Sequence, residues 1–453
     1  MNPKRIPAHA VWVAAALTTG CATYHPAPLE PDQILKDLEA IEWPSSPTTG
    51  AEQEPNSTAT GPGELAAFAL ATNPDLAIVR AELGIQEALL LEAGLLPDPE
   101  IGWDGMDVGA SQIVTGSSSS VEALSGFGLM FPLPRLGERD ARVGAAGWRL
   151  EETKWLLLAA EWELTRKVHV AFEEARGAEA LLSQAVELTD FASSTFDYFR
   201  RAKDAGAATA IQANLALGEL QARQLEQLRA ESRVIQARQS LNALLGLPPG
   251  ATIVLREDNT PGMEDLEAMA LEELVKKALH ERPDLGGLLA SYQAAEEEVK
   301  LAVSKRFPRF SLGTGIVLNL PIFTQFGGPA IRTATAKRDR LAQTYTATVH
   351  QARREIAAAH AQWQAARDER QLIVSELLPN AEDNLALSRQ AFEAGEVTLL
   401  ETIALQRALV EARTRHLEAR IELSKRSWTL LAKSGWLLNP DTPNQTHPTQ
   451  ESR

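Results

Sequence analysis

The sequence predicts a mostly α-helical chain of two tandem repeats, each a β-hairpin joined to long coiled-coil helices. Three observations predict it. Residues N-P-D-L at Asn73–Leu76 reappear as R-P-D-L at Arg282–Leu285, and at the same separation Pro99 falls on Pro308. A second pair of matched segments, A-G-A-A-T at Ala205–Thr209 and A-G-E-V-T at Ala394–Thr398, follows in the same order, and Gly246 then falls on Gly435. Long stretches between these anchors are rich in Ala, Leu, Glu, Gln and Arg, and aromatic residues make up only 6% of the chain. Ordered self-similarity at fixed anchors marks an internal duplication. The composition favours long helices over a compact β-rich core.

The N-terminus comes first. Lys4 and Arg5 precede a short apolar run, Val11–Leu17, that ends in T-T-G-C. The run is far below the roughly 20 residues of a spanning helix, so residues 1–20 read as a signal peptide. Cys21 is the only cysteine in the 453 residues. Its place after Gly20 resembles a bacterial lipoprotein cleavage box, with Cys21 as the acylated residue. Thr18 stands where that box prefers Leu, and an ordinary signal peptide with an incidental cysteine is the alternative. Ala22, rather than Asp, follows the cysteine, which in such lipoproteins favours the outer membrane.

Residues 21–63 are rich in Pro, Ser, Thr, Glu and Gly. They read as an extended or flexible tether. Residues 438–453 have the same character and read as a disordered tail.

Repeat 1 is assigned to residues 64–250 and repeat 2 to 265–437. In repeat 1 the hairpin spans about 100–133, with strand-like ends around a Ser/Gly loop. In repeat 2 only R-F-S-L-G-T-G-I-V-L-N-L, about 309–320, fills the same place. Gly137 to Lys203 holds no proline and reads as one very long helix. Ala330 to Leu378 does too, with a stop at Pro379 and resumption toward Glu393. Thr209–Leu245 and Thr398–Leu431 follow the A-G turns. Ile403, Val410, Leu417 and Leu431 share one heptad position, broken only at Ser424, so they predict a coiled-coil seam. At 1.5 Å per residue each such helix runs roughly 50 to 60 Å.

The chemistry-bearing patterns of enzymes are missing. There is no H-E-x-x-H, Walker loop, G-x-S-x-G or dinucleotide fingerprint, so neither catalytic residues nor a cofactor is implied. One cysteine and eight scattered histidines supply no metal-ligand spacing. The net charge of -16 disfavours nucleic acid as a partner.

Four strands cannot close a barrel, because the smallest closed barrels need about eight. Hairpins also cannot bury a face alone. Several chains around an axis would remove both shortages, with strands sharing one barrel and helix pairs sharing one hollow tube.

At this point the chain resembles the TolC-type outer-membrane efflux family. The resemblance covers roughly residues 64–437 and rests on the duplicated N/R-P-D-L start, the hairpins ending in L-P, and both A-G-x-x-T turns. It implies a homotrimer: an α-barrel crossing the periplasm, a small shared twelve-strand β-barrel in the outer membrane, and an inner-membrane pump reached through a periplasmic adaptor. It implies that Ala205, Gly206, Thr209, Ala394, Gly395 and Thr398 form adaptor-docking turns at the periplasmic tips. Gly as a plain helix terminator explains the same glycines. Asp204 and Glu393, just before those turns, are candidates for a pore constriction held by Arg200, Arg201 or Lys203. Two solvated acids at helix ends are the plain alternative. The second hairpin is too short for two spanning strands of about 9 to 11 residues. A lipid-anchored periplasmic coiled-coil scaffold without a spanning pore is therefore the competing reading. The exported substrate is not legible.

Overall fold

The structure is a computed structural model that describes residues 26–43, 60–103, 127–256, 270–313, 316–393 and 399–435. The chain divides into two compact units, Met1–Glu42 and Trp43–Arg453. In the first, helix α1 spans Pro31–Glu39. Its Ile34, Leu35 and Leu38 share one face, with Asp32, Lys36 and Asp37 around the rest. This helix stands inside the expected tether of residues 21–63. Apolar residues at i, i+1 and i+4 after a proline at the first helical position give it a start and a face.

The second unit begins inside the same tether. Thr60 bridges to Leu255 in parallel, its N–H bonded to the Val254 carbonyl at 2.8 Å. Helix α2 (Pro62–Thr72) follows at once, with Glu64 capping the Gly61 N–H at 3.2 Å. The tether is thus shorter than expected at this end.

Helix α3 (Pro74–Gly94) starts at the N-P-D-L motif, whose logic is now plain. Pro74 occupies the first turn, where no N–H is needed. The Asn73 side chain accepts from the Leu76 N–H at 3.1 Å and donates to the Leu244 carbonyl at 2.9 Å. Thr72 Oγ1 donates to the Leu245 carbonyl at 2.7 Å. So the motif starts one helix and clasps the end of another.

Strands β1 (Glu100–Trp103) and β2 (Phe127–Pro132) form the first hairpin. Helix α4 runs 67 residues, Glu138–Asp204, without a break. Glu138 and Asp140 in its first turn and Arg201 and Lys203 in its last complement the helix dipole. Helix α5 (Ala210–Leu245) returns antiparallel and ends at Gly246 with φ 68°.

The second half repeats the plan. Helices α6 (Leu271–Glu281) and α7 (Pro283–Ser304) flank the R-P-D-L motif. Strands β3 (Arg309–Gly313) and β4 (Ile316–Asn319) form the second hairpin. Helix α8 (Gly328–Leu372) passes through a π-helical turn, Ile373–Leu377, into α9 (Leu378–Glu393). Helix α10 covers Leu399–Ser434. Pro379 therefore does not stop the helix as expected. It sits in the first turn beyond the π-turn, and the wider turn accommodates the carbonyl that Pro379 cannot bond.

Arg282 replaces Asn73 as the clasp. Its guanidinium bonds Asp284 at 2.7 Å and Glu355 of α8 at 3.3 Å, and Glu355 also takes Lys433 at 3.0 Å. Gly435 ends α10 with φ 87° as Gly246 ends α5.

All four strands lie in one antiparallel sheet, ordered β1-β2-β3-β4. The two halves meet in it, with Phe131 opposite Leu312. One core cluster lies between α6, α8 and α10: Leu274, Ile356, Trp363, Leu423, Leu430 and Leu431 are all nearly inaccessible. Trp363 Nε1 donates to Ser427 Oγ at 3.1 Å. Trp162 of α4 donates to the Ala432 carbonyl at 3.2 Å, which ties the halves together.

The expected seam of α10 is buried at its end, at Ser424 and Leu431, but over the earlier turns the buried line runs beside it. Leu409, Ala412, Ala419, Leu423 and Leu430 are buried, whereas Ile403, Val410 and Leu417 are only half-buried. Ser424, the apparent break, is buried. Ala on the inner line lets α10 approach its neighbours closely, and apolar pattern alone does not rank Ala above Val or Leu.

Candidate functional site

The first A-G turn joins α4 to α5. Ala205 keeps helical angles, and Gly206 then turns left-handed at φ +74°. The N–H groups of Ala207 and Ala208 both reach the Ala202 carbonyl, at 2.8 and 3.1 Å. Thr209 starts the next helix with a reciprocal cap: its N–H donates to Gln212 Oε1 at 2.8 Å and its Oγ1 accepts from the Gln212 N–H at 3.2 Å. The motif therefore encodes the tightest reversal available: a positive-φ glycine, small residues, and a capping Thr.

Its surface is open. Ala205, Gly206, Ala207 and Thr209 are exposed, and a Cβ on Gly206 would meet nothing within 4 Å. Tyr198 (60% exposed) and Ile211 (72% exposed) flank the turn. Ala394, Gly395 and Thr398 of the matching turn lie outside the described residues, as does Cys21.

Asp204 is the last residue of α4 and is largely exposed. Its carboxylate lies 3.8 Å from Lys203 Nζ, the outer limit of an ion pair. The other expected partners are engaged elsewhere: Arg200 pairs with Asp197 at 3.0 Å, and Arg201 bonds the Asp197 carbonyl at 3.2 Å. Glu393 is the last residue of α9. Among the described residues of one chain, nothing further pairs with Asp204.

The polar link between the halves near this end lies elsewhere. Glu219 on α5 receives both Arg223 of its own helix and Arg407 of α10. Arg407 is 57% exposed and Glu219 only 15%. Two turns further along α10, Gln184 of α4 donates to Thr414 Oγ1 at 3.0 Å. A groove lined by Phe191, Thr195, Arg223 and Ile403 separates the two helix pairs here. None of these pairs is visible in sequence, because they join residues on different repeats with no shared motif.

A second buried feature also escaped the sequence. His169 of α4 stacks on Trp428 of α10. Burial pushes the imidazole pKa from 6.5 down to about 4.

Among the described residues no group of three or more His, Cys, Asp or Glu is arranged to hold a metal ion. No helix among them is long and apolar enough to cross a membrane.

Comparisons with known proteins agree with this architecture. The cobalt-zinc-cadmium resistance protein CzcC of Cupriavidus metallidurans is 26% identical over 377 residues, covering 79% of this chain and 87% of that protein. The outer membrane protein OprJ of Pseudomonas aeruginosa is 26% identical over 332 residues, covering 66% and 67%. The Campylobacter jejuni CmeC outer membrane channel shares the fold at a TM-score of 0.66 and 14% identity, over 91% of this chain and 93% of that one. Residues 65–247 and 274–435, most of both halves, match the family described as outer membrane efflux protein. This chain belongs to the outer membrane efflux protein family.

Proposed function

We propose that the chain is the outer-membrane channel subunit of a tripartite efflux pump, acting as a homotrimer docked to a periplasmic adaptor and an inner-membrane pump. One observation carries the reading. Each half gives one hairpin to a single four-stranded sheet whose outer strands, β1 and β4, have no further partner among the described residues. Four strands cannot close alone, and an open edge seeks another strand. Copies of the chain around an axis would pair these edges and complete both the barrel and the helical tube.

The exposed turn at Ala205–Thr209, and by duplication the one at Ala394–Thr398, would receive the adaptor. Absence of side-chain bulk would permit close approach of a helical hairpin. Cys21 would carry the acyl chains. For the cargo we favour transition-metal cations. The support is the CzcC match, the longer of the two sequence alignments described, together with the net charge of -16.

A scaffold without a pore is the second reading. It is favoured by the second hairpin, whose strands β3 and β4, between Pro308 and Pro321, span 5 and 4 residues against the roughly 9 to 11 needed to cross a bilayer. Single-channel recording in planar bilayers, with electron microscopy of the same protein in nanodiscs, separates the two. Discrete conductance from a three-fold tube crossing the disc supports the channel. A non-conducting particle held beside the disc by its N-terminus supports the scaffold.

A further inference from the structure

Helices α8 and α10 run antiparallel along one seam, and two hydrogen bonds set their register. Trp363 Nε1 donates to Ser427 Oγ at 3.1 Å, and Arg426 donates to Gln362 Oε1 at 2.6 Å. Seven residues, or two turns, from Trp363 toward α9 stands Arg370. Seven residues back from Ser427 stands Arg420. Two arginines therefore face each other across the seam. His416 lies one turn beyond Arg420 on the same face of α10. The buried residues around them are apolar: Ala366 and Ile373 on one side, Ala412, Ala419 and Leu423 on the other.

No acid answers these donors. Arg420 Nε and His416 Nδ1 are buried without a hydrogen-bond partner, and the Arg370 side chain has none either among the described residues. Neighbouring acids are engaged elsewhere: Asp368 by Arg367, Glu382 by Arg413, and Glu422 by Arg426 and Lys425. Glu369, Glu376 and Glu418 are exposed and form no ion pair with any of the three. An arginine in a protein cannot shed its proton, so the two guanidinium charges stay. Burial, and then the charges of Arg370 and Arg420, lower the His416 pKa. The ring is thus neutral at pH 7, and Nδ1 carries the proton in one of its tautomers. A buried donor without an acceptor is costly, more so on a charged group.

We infer that Arg370, His416 and Arg420 form a binding site for a small oxyanion of the phosphate type. Facing guanidinium groups offer paired N–H donors in the fork that matches an oxyanion, and the imidazole N–H adds one more. A water could accept from one donor but carries no charge to offset two cations. Bound here, the anion bridges α8 to α10 just before the π-turn at Ile373–Leu377. It supplies a polar tie between the Trp363–Ser427 bond on one side and the Arg413–Glu382 pair on the other. The site depends only on this seam, so it stands or falls apart from conduction.

Isothermal titration with inorganic phosphate tests it, on the full-length protein in detergent at pH 7 and constant ionic strength. Saturable binding of one anion per chain is expected. Arg420→Gln and Arg370→Gln should each weaken it about tenfold or more. Arg229→Gln, which removes an exposed arginine of α5, should leave it unchanged. Amide exchange gives a local readout: phosphate should slow exchange across Ile373–Leu377 in the native chain and not in Arg420→Gln. Without phosphate, Arg420→Gln should melt no lower than the native chain, because it removes one of two facing like charges. Absence of saturable heat, binding that survives both substitutions, or exchange slowed equally along the whole chain overturns the site.

Discussion

His169 and Trp428 stack face to face across the two halves, with ring centroids 3.8 Å apart and planes 15° from parallel. Neither His169 Nδ1 nor Trp428 Nε1 has a hydrogen-bond partner among the described residues. The pair is thus a contact between polar rings without polar partners, and burial there favours the neutral imidazole.

A pH dependence follows from that contact. The folded pKa of about 4 lies below the ordinary 6.5, so between these values the unfolded chain binds the proton that the folded chain refuses. Stability contributed by His169 is therefore present above pH 6.5 and falls as pH drops toward 4, at most about 1.4 kcal/mol per unit. Below 4 this contribution changes no further. Circular-dichroism melts at pH 7.5 and 4.5 should show a smaller acid shift for His169→Phe than for the native chain. Equal shifts would remove His169 as the cause.

The glycines that end α5 and α10 should not be interchangeable with the one in the exposed turn. Cβ atoms on Gly246 and Gly435 would come within 2.8 Å of the Thr72 carbonyl oxygen and Glu281 Cβ respectively. Gly206 has the same left-handed backbone and open space around it. Gly206→Ala should cost only the backbone strain, about 1–2 kcal/mol, whereas Gly246→Ala and Gly435→Ala should cost more. Melting temperatures that rank Gly206→Ala lowest would contradict the clasp described here.

Docking should be sensitive to bulk where folding is not. Gly206→Trp or Gly395→Trp is expected to weaken cross-linking to the adaptor while the oligomer survives. Cross-linking unaffected by either change would remove the docking role from these turns.

Arg407 ties α10 to α5 through Glu219, from a mostly exposed position. Such pairs contribute roughly 0.2–1 kcal/mol. Arg407→Ala should therefore barely move the melting temperature, yet raise amide exchange in the first turns of α10 by about two- to fivefold. Exchange that rises equally along all of α10 would point to global destabilisation instead.

Acylation is checked most simply. Cys21→Ser should abolish labelling by radioactive palmitate, and persistent label would place the acyl group elsewhere.

Much of this fold was legible because its punctuation is local. The A-G turn before Thr209 and the matched glycines Gly246 and Gly435 each act on their own neighbours, so these helix ends could be read in order. The duplication made each reading twice. What escaped depends on pairing between distant segments: the Glu219–Arg407 link, the His169–Trp428 stack, and the displacement of the α10 seam onto Leu409, Leu423 and alanines. Pro379 misled for a related reason, since a helix can widen by one residue and continue.

That widened turn resets the phase of everything after it. An extra residue at Ile373–Leu377 rotates the following helix by about 100° relative to an uninterrupted one. The opposing helix α10 has no such insertion, so the two strands of this hairpin count residues differently over the same length. Leu385 and Ser388 face inward in the present phase. Removing a single residue from the π-turn would restore an ordinary helix with both still on the shared face, whereas the same deletion beyond the turn would swing both off it by about 100°, so tolerance to length change is confined to this turn.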